Sequence, residues 1–322
     1  MHRPILYALI LLAAIALPFG AEAIGSPALI PLFARIAIYG IAATSLNLIL
    51  GQGGMVSFGH AAYFGLGGYT VGILYAHFVS DEALWGLIPG SNLLLVTLPA
   101  ALLVGGLAAL VIGALSLRTS GVQFIMITLA FAQMLFFLFV SLKTYGGDDG
   151  LSVRRPNLFF GLNLRDGPTM YWLSLGFLTA WLLLLDRISN SRFGRVLSGV
   201  RQSERRMAAL GISTYRYKLV AFVIAGMGAA MSGALMANLM RFVSPDMMHW
   251  TKSGELMVMV ILGGLNTLLG PVIGAAALVG LEYVLSSITE NWQFFLGPIL
   301  LLVVLFGRGG LSALSARAVP RG

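Results

Sequence analysis

Residues 93–116 read Leu93-Leu94-Leu95-Val96-Thr97-Leu98-Pro99-Ala100-Ala101-Leu102-Leu103-Val104-Gly105-Gly106-Leu107-Ala108-Ala109-Leu110-Val111-Ile112-Gly113-Ala114-Leu115-Ser116, a run without a single charge. About 20 mostly apolar residues suffice for a helix to cross a bilayer, so the run is a membrane span. Gly105, Ala109 and Gly113 recur at steps of four. They share one helix face and let another backbone approach closely.

The same pattern extends in both directions. Apolar runs at about 5–22, 28–50, 58–79, 120–141, 169–186, 218–240, 255–269, 270–288 and 293–307 bring the expectation to about ten transmembrane helices. The fold class is an all-α, polytopic integral membrane protein, with residues 1–322 forming a single transmembrane domain. The eighth run is short and is followed by Gly263-Gly264-Leu265-Asn266-Thr267-Leu268-Leu269-Gly270-Pro271, which predicts a broken or re-entrant helix. Composition agrees: hydrophobic residues make up 58% and charged residues 10% of the chain, against roughly 25% charged in soluble domains. A water-soluble enzyme and a disordered chain are both excluded. Cysteine is absent, which removes disulfides, thiolate zinc sites and Cys nucleophiles together. Lys143, Lys218 and Lys252 are the only lysines, and none stands in a phosphate-binding loop. Any ATP must be bound by another chain.

The net charge is +8. In a soluble protein this would suggest nucleic acid; in a membrane protein it asks which side the charges occupy. With the N-terminus in the cytoplasm and alternating spans, the outer side holds Lys143, Arg154, Arg155, Arg165, Arg241 and Lys252. The inner side holds Arg3, Arg118, the basic residues of 187–218, Arg308, Arg317 and Arg321. The inner excess is about two to one, as the positive-inside rule requires. Both termini then lie in the cytoplasm. Trp85, Trp172, Trp250 and Trp292 fall at outer edges, where amphipathic rings are favoured. Met1-His2-Arg3, an apolar run and Ala21-Glu22-Ala23 also fit a signal peptide, but the preferred reading is an ordinary first span.

Polar islands carry the remaining information. The loop at about 187–217 holds Arg187, Arg192, Arg195, Arg201, Arg205, Arg206 and Arg216, with Glu204 its one acid. Ser191 can cap a helix running to Leu210, stopped by Gly211. Such a segment either rests on anionic headgroups or docks a cytoplasmic partner. A second island is Gly51-Gln52-Gly53-Gly54-Met55-Val56-Ser57-Phe58-Gly59-His60, followed by a stripe of Ala61, Gly65, Gly68 and Gly72. A third is 263–271. The second and third share glycines, an amide and a hydroxyl, and could be corresponding points of an internal repeat, where transporters place broken helices and substrate. Gln52, Ser57, Gly59, His60, Gln123, Thr128, Asn266, Thr267 and Gly270 are the candidates for a substrate path. Arg35 and Glu282 are the charges inside spans, near enough to an interface to snorkel. No His/Asp/Glu chain crosses the bilayer, which argues against a proton-coupled pump. Metal-binding and acid–base constellations are equally absent from the sequence.

Several motifs together resemble a known family. Ser57-Phe58-Gly59-His60-Ala61-Ala62-Tyr63-Phe64-Gly65, Arg118-Thr119-Ser120-Gly121-Val122-Gln123-Phe124, Gly146-Gly147-Asp148-Asp149-Gly150-Leu151, Ser191-Arg192-Phe193-Gly194-Arg195 and Leu262-Gly263-Gly264-Leu265 are similar, in order, to the LivM-type permeases of branched-chain amino acid ABC importers. The match runs from about residue 40 to 285. The resemblance implies a pore-forming subunit in the bacterial cytoplasmic (inner) membrane that catalyses no bond chemistry. Its implied partners are a second permease subunit, two cytoplasmic ATPase subunits that bind ATP-Mg, and an extracytoplasmic substrate-binding protein. No cofactor is expected on this chain, and no nucleic acid. It also implies that Arg195, Arg201, Glu204, Arg205, Arg206, Ala208 and Gly211 belong to an ATPase-coupling loop. That loop departs from the general importer pattern: Arg205 and Arg206 stand where two alanines follow the glutamate, and Gly211 lies one residue late. Branched-chain or other hydrophobic amino acids are the expected cargo. Permeases for urea or short-chain amides are closely similar, and a stand-alone secondary transporter is the rival class.

Overall fold

A computed structural model describes residues 12–298 except positions 13, 22–24, 27–28, 85, 87 and 292–293. Half of the first and most of the tenth expected span, with Trp85, Trp292, Arg3, Arg308, Arg317 and Arg321, lie outside the described residues.

Beyond residue 28 the chain runs through α1 (Leu29–Asn47), α2 (His60–Ser80), α3 (Leu94–Ser116), α4 (Val122–Ser141), α5 (Gly167–Asn190), α6 (Arg192–Gln202), α7 (Glu204–Ala209), α8 (Thr214–Met240), α9 (Trp250–Gly263) and α10 (Gly270–Ile288). A π-helical turn, Leu48–Gln52, prolongs α1. Four two-residue strands join the loops: β1 (Leu151–Ser152), β2 (Leu158–Phe159), β3 (Leu162–Asn163) and β4 (Phe242–Val243), with β1 antiparallel to β4 and β2 antiparallel to β3. Among the described residues, six helices are long and apolar enough to cross a membrane: α1 with its π turn, α3, α4, α5, α8 and α10. The protein is therefore polytopic and all-α in its membrane part.

Two further helices complete the bundle for different reasons. α2 has 21 residues, about 31 Å at 1.5 Å per residue. Its glycines, tyrosines and His60 lower its hydropathy. Residues 60–75 need no lipid-facing surface, because nearly all of them are buried in the centre, and only the last turn exposes Phe78 and Val79. α9 has 14 residues, about 21 Å, and falls short of a hydrocarbon core of about 30 Å.

α8 is the axis of the bundle. It packs along α1, α2 and α3, and the buried residues from Ala221 to Asn238 cover nearly its whole circumference. Close approach rests on glycine. A Cβ at Gly233 would stand 1.7 Å from the Phe64 carbonyl oxygen, and one at Gly67 would stand 1.9 Å from that of Ala230. The Gly105, Ala109 and Gly113 face lies against Gly226, Ala230 and Phe222 of α8, the role its spacing predicts.

Loops gather into two groups. Leu151 pairs with Val243, the His77 ring meets the Tyr145 hydroxyl at 3.0 Å, and the Arg155 backbone N–H donates to the Tyr75 hydroxyl at 3.2 Å. All of these belong to the expected outer side. At the other end, Gln52 donates to Ser189, the Tyr215 hydroxyl donates to the Ala114 carbonyl at 2.9 Å, and Lys218 pairs with Glu204 at 2.7 Å. The alternating order of spans is thus reproduced by which loops meet.

Three expectations need correction. The stripe Ala61, Gly65, Gly68 and Gly72 does not seat another helix along its length. Gly65 and Gly68 lie against Met248 and Met247, and Gly72 against Leu151 and Val243, so the small residues make room for a loop that dips beside α2. The single helix from Ser191 to Leu210 is two. Ser191 Oγ accepts from Gly194 N at 3.4 Å and caps α6. Ser203 then turns extended (φ −162°) and its hydroxyl accepts from Arg206 N at 3.3 Å, starting α7. A serine that can cap competes with helix continuation. The eighth span is the third case: it runs over Trp250–Gly263 rather than 255–269. Lys252 is tolerated within it because its ammonium reaches Glu255 at 2.6 Å and lies over the Tyr39 ring. The helix stops where Gly264 takes φ +114° and Asn266 φ +62°.

Candidate functional site

The two glycine-and-amide islands meet at the expected inner end. The Asn47 side-chain amide donates to the Thr267 carbonyl at 2.9 Å. A Cβ on Gly51 would fall 2.3 Å from Asn47 Oδ1 and 3.1 Å from the Asn266 backbone N, so glycine is what lets the π turn and the 264–269 connection touch. Thr267 Oγ1 closes that connection by donating to the Gly264 carbonyl at 2.8 Å. Gly270 starts α10 inside the same knot: a Cβ there would strike Thr267 Oγ1 at 2.0 Å.

Arg201, from the end of α6, clasps both islands. Its Nη1 donates to the Gly51 carbonyl and to Asn266 Oδ1. Gln52 Nε2 donates to Ser189 Oγ at the end of α5. α6 and α7 are therefore tied to two broken-helix segments at once. The Lys218 ammonium anchors the far side of α7 through Glu204, and Thr214 Oγ1 donates to the same carboxylate at 2.9 Å. Burial opposes the Glu204 charge, but the Lys218 and Thr214 hydrogen bonds and the Lys218 charge outweigh it and hold this carboxyl below its ordinary value. Arg195, Arg205, Arg206, Ala208 and Gly211 are exposed, with Gly211 at φ +79° as a helix stop. A cavity of about 320 Å³ lies between 53–56, 117–121 and the α6–α7 junction.

A second polar knot lies deeper. Ser57, His60 and Thr128 are fully buried. Gly59 N–H donates to Ser57 Oγ at 3.2 Å and Phe58 N–H to Thr128 Oγ1 at 3.3 Å. Ser253 Oγ donates to the Phe58 carbonyl at 2.6 Å and accepts from Ala61 N–H at 2.9 Å. The start of α2 is thus fastened to α4 and α9 in the bundle interior. The His60 ring stands edge-on to Tyr63 and Phe222. Non-helical backbone at this depth survives because its polar groups are met by protein.

The structure groups Ser57, Gly59, His60 and Thr128 in one knot and Gln52, Asn266, Thr267 and Gly270 in the other. Gln123 belongs to neither; it is exposed on α4. Arg35 and Glu282, expected to snorkel separately, pair with each other instead: Arg35 Nη2 lies 3.0 and 2.9 Å from the two carboxylate oxygens. Asn47, Ser189 and Ser253 were not singled out from sequence. Asn47, an amide inside an apolar run four residues before Gly51, offered a signal; the two serines offered none.

Residues 28–304 match the family described as branched-chain amino acid transport system / permease component. The chain is similar to the high-affinity branched-chain amino acid transport system permease protein LivM of Salmonella typhimurium and to that of Escherichia coli. In each case 26% of 298 residues are identical, covering 85% of this chain and 67% of the relative. It is similar to a probable LivM of Methanocaldococcus jannaschii, 26% identical over 309 residues, 84% of this chain and 86% of the relative. The autoinducer 2 import system permease protein LsrC of Klebsiella pneumoniae is 33% identical over 159 residues, 45% of this chain and 44% of the relative. No solved structure gives a significant match. With its polytopic helical bundle and a match that covers most of its length, the chain belongs to the family of branched-chain amino acid transport system permease components.

Proposed function

We propose that this permease subunit of an ABC importer carries branched-chain or other hydrophobic amino acids across the bacterial cytoplasmic membrane. The family match over residues 28–304 carries the reading. On this reading a second permease subunit completes the path, an extracytoplasmic binding protein delivers the cargo, and two cytoplasmic ATPase subunits bind ATP-Mg and hydrolyse it. The chain has about ten crossings and cytoplasmic termini. The substrate path runs by the 57–60 and 264–270 segments, the two places where the helical backbone is broken.

The Arg201 clasp supports a mechanical role for α6 and α7. A displacement imposed on this loop by the ATPase subunits pulls on Gly51 and Asn266 together, because one guanidinium holds both. Two broken-helix segments then move as one. Uptake by the reconstituted complex, competed with leucine, urea and a short amide, tests the proposal. Competition by leucine is expected. Competition by urea or the amide alone overturns the cargo, and transport by the lone chain without ATPase subunits overturns the importer reading.

A further inference from the structure

We infer that the outer-end cavity beside the β2–β3 hairpin binds the phosphate headgroup of an anionic phospholipid, with the acyl chains laid along α3. The cavity, about 600 Å³, is bounded by residues 90–93, Phe78, Pro156 and Leu158, with Arg154, Arg155 and Arg165 around it. Three guanidinium groups on the outer side run against the positive-inside bias, and they converge on one cavity. Arg154 and Arg155 are exposed, and among the described residues neither side chain has a hydrogen-bond or ion-pair partner.

The frame that presents them is rigid. Asn157 is fully buried, its N–H donating to Asn238 Oδ1 at 2.7 Å and its side chain to Thr97. Leu158 N–H donates to the Asn92 carbonyl at 2.8 Å, and Arg155 N–H is held by Tyr75. The arginine pair is thus anchored to α2, α3 and α8. Planar guanidinium groups suit a phosphate, which they bind through paired N–H donors.

Apolar surface identifies the source of that phosphate. The hairpin next to the arginines exposes Leu158 (42%), Phe160 (76%) and Leu162 (54%). Leu93, bridged to Leu158 of the hairpin, is exposed with Leu95 and Val96 at the start of α3, and Leu103 and Leu107 continue that exposure along the helix. Phosphate beside hydrocarbon at one level is the chemistry of a phospholipid. A soluble anion would meet the arginines and leave the apolar rim unused.

The test uses the assembled transporter in bilayer discs of mixed phosphatidylcholine and phosphatidylglycerol, with bound lipid counted by native mass spectrometry after mild extraction. The wild type is expected to retain phosphatidylglycerol over phosphatidylcholine. R154Q/R155Q is expected to weaken that retention by roughly fivefold for each arginine removed, with phosphatidylcholine unchanged. Equal retention by the variant overturns the proposal. Displacement of phosphatidylglycerol by added inorganic phosphate overturns it in favour of a soluble-anion site. A variant that keeps phosphatidylglycerol but loses the extracytoplasmic binding protein assigns the arginines to a protein surface and overturns it as well. Both substitutions sit on exposed side chains, and an unchanged elution profile of the assembled complex verifies the fold.

Discussion

Replacing Gly233 by alanine adds one methyl group at the closest glycine contact among the described residues. The new Cβ would stand 1.7 Å from the Phe64 carbonyl oxygen, 2.6 Å from its carbon and 3.1 Å from its Cα. All three are backbone atoms of α2, so no side chain can turn aside. To restore ordinary contact, α2 and α8 would have to part locally by roughly 1.5 Å, and a gap of even 0.5–1 Å forfeits a quarter to a half of the dispersion energy across it. Phe64, Ala230 and Tyr63, all buried at this seam, would lose contacts together. The cost is about 2–3 kcal/mol, in the upper part of the usual range for overpacking. Gly176→Ala is the matched control. That glycine also lies in a helix, but an added Cβ meets nothing within 4 Å, so the substitution gains up to about 1 kcal/mol of helix propensity. Thermal unfolding of the purified complex, followed by the loss of its monodisperse elution peak, is the assay. G233A should melt clearly below the wild type and G176A at or slightly above it. Equal midpoints for the two variants would refute the packing of α2 on α8 described above.

Arg201→Ala removes two charge-assisted hydrogen bonds, one half-buried and one exposed, worth about 2 kcal/mol together after allowance for exposure. The ratio of substrate moved to ATP hydrolysed should fall severalfold while the complex still assembles, and an unchanged ratio would count against the clasp. Arg35→Gln or Glu282→Gln leaves one charge unpaired within the membrane part and should cost about 1–3 kcal/mol, between the exposed and buried limits; the exchange R35E/E282R should recover most of it in a thermal-stability cycle. Glu204 titrates below its ordinary value, so its tie to Lys218 is fully present above the ordinary carboxylate pKa and is lost as the pH falls through the lowered one. Amide protection factors in α7, taken relative to the free-chain rate at each pH, should therefore hold at neutral and weakly acidic pH and fall only below about pH 4.5; a fall already near neutrality would contradict this.

Most helices are legible from residues alone because in lipid the backbone must satisfy itself, and uninterrupted apolar runs have only one way to do so. The run 93–116 and the helix Leu94–Ser116 nearly coincide for that reason. Boundaries near charges were harder. Lys252 read as a span limit, yet it lies inside α9, since Glu255 and Tyr39 accept it. Ser203 broke a helix that periodicity would continue, because its hydroxyl offered Arg206 N–H an alternative partner. Of the candidate site, the glycine-and-amide islands were visible as departures from apolar sequence. Their meeting was not.

The sequence by itself determined a polytopic helical membrane protein, the alternation of its loops and the places where its backbone leaves helix, since hydropathy, charge bias and glycine act locally along the chain. Only the tertiary structure decided that Gly51 touches Asn266, that one arginine from α6 holds both, and that Arg35 neutralises Glu282. These partners stand far apart in sequence. Around Asn266 the geometry is set by close glycine-to-carbonyl contacts between α9 and α10, at Gly263 against Gly270 and Gly274 against Met259, which carry no periodic signal of their own.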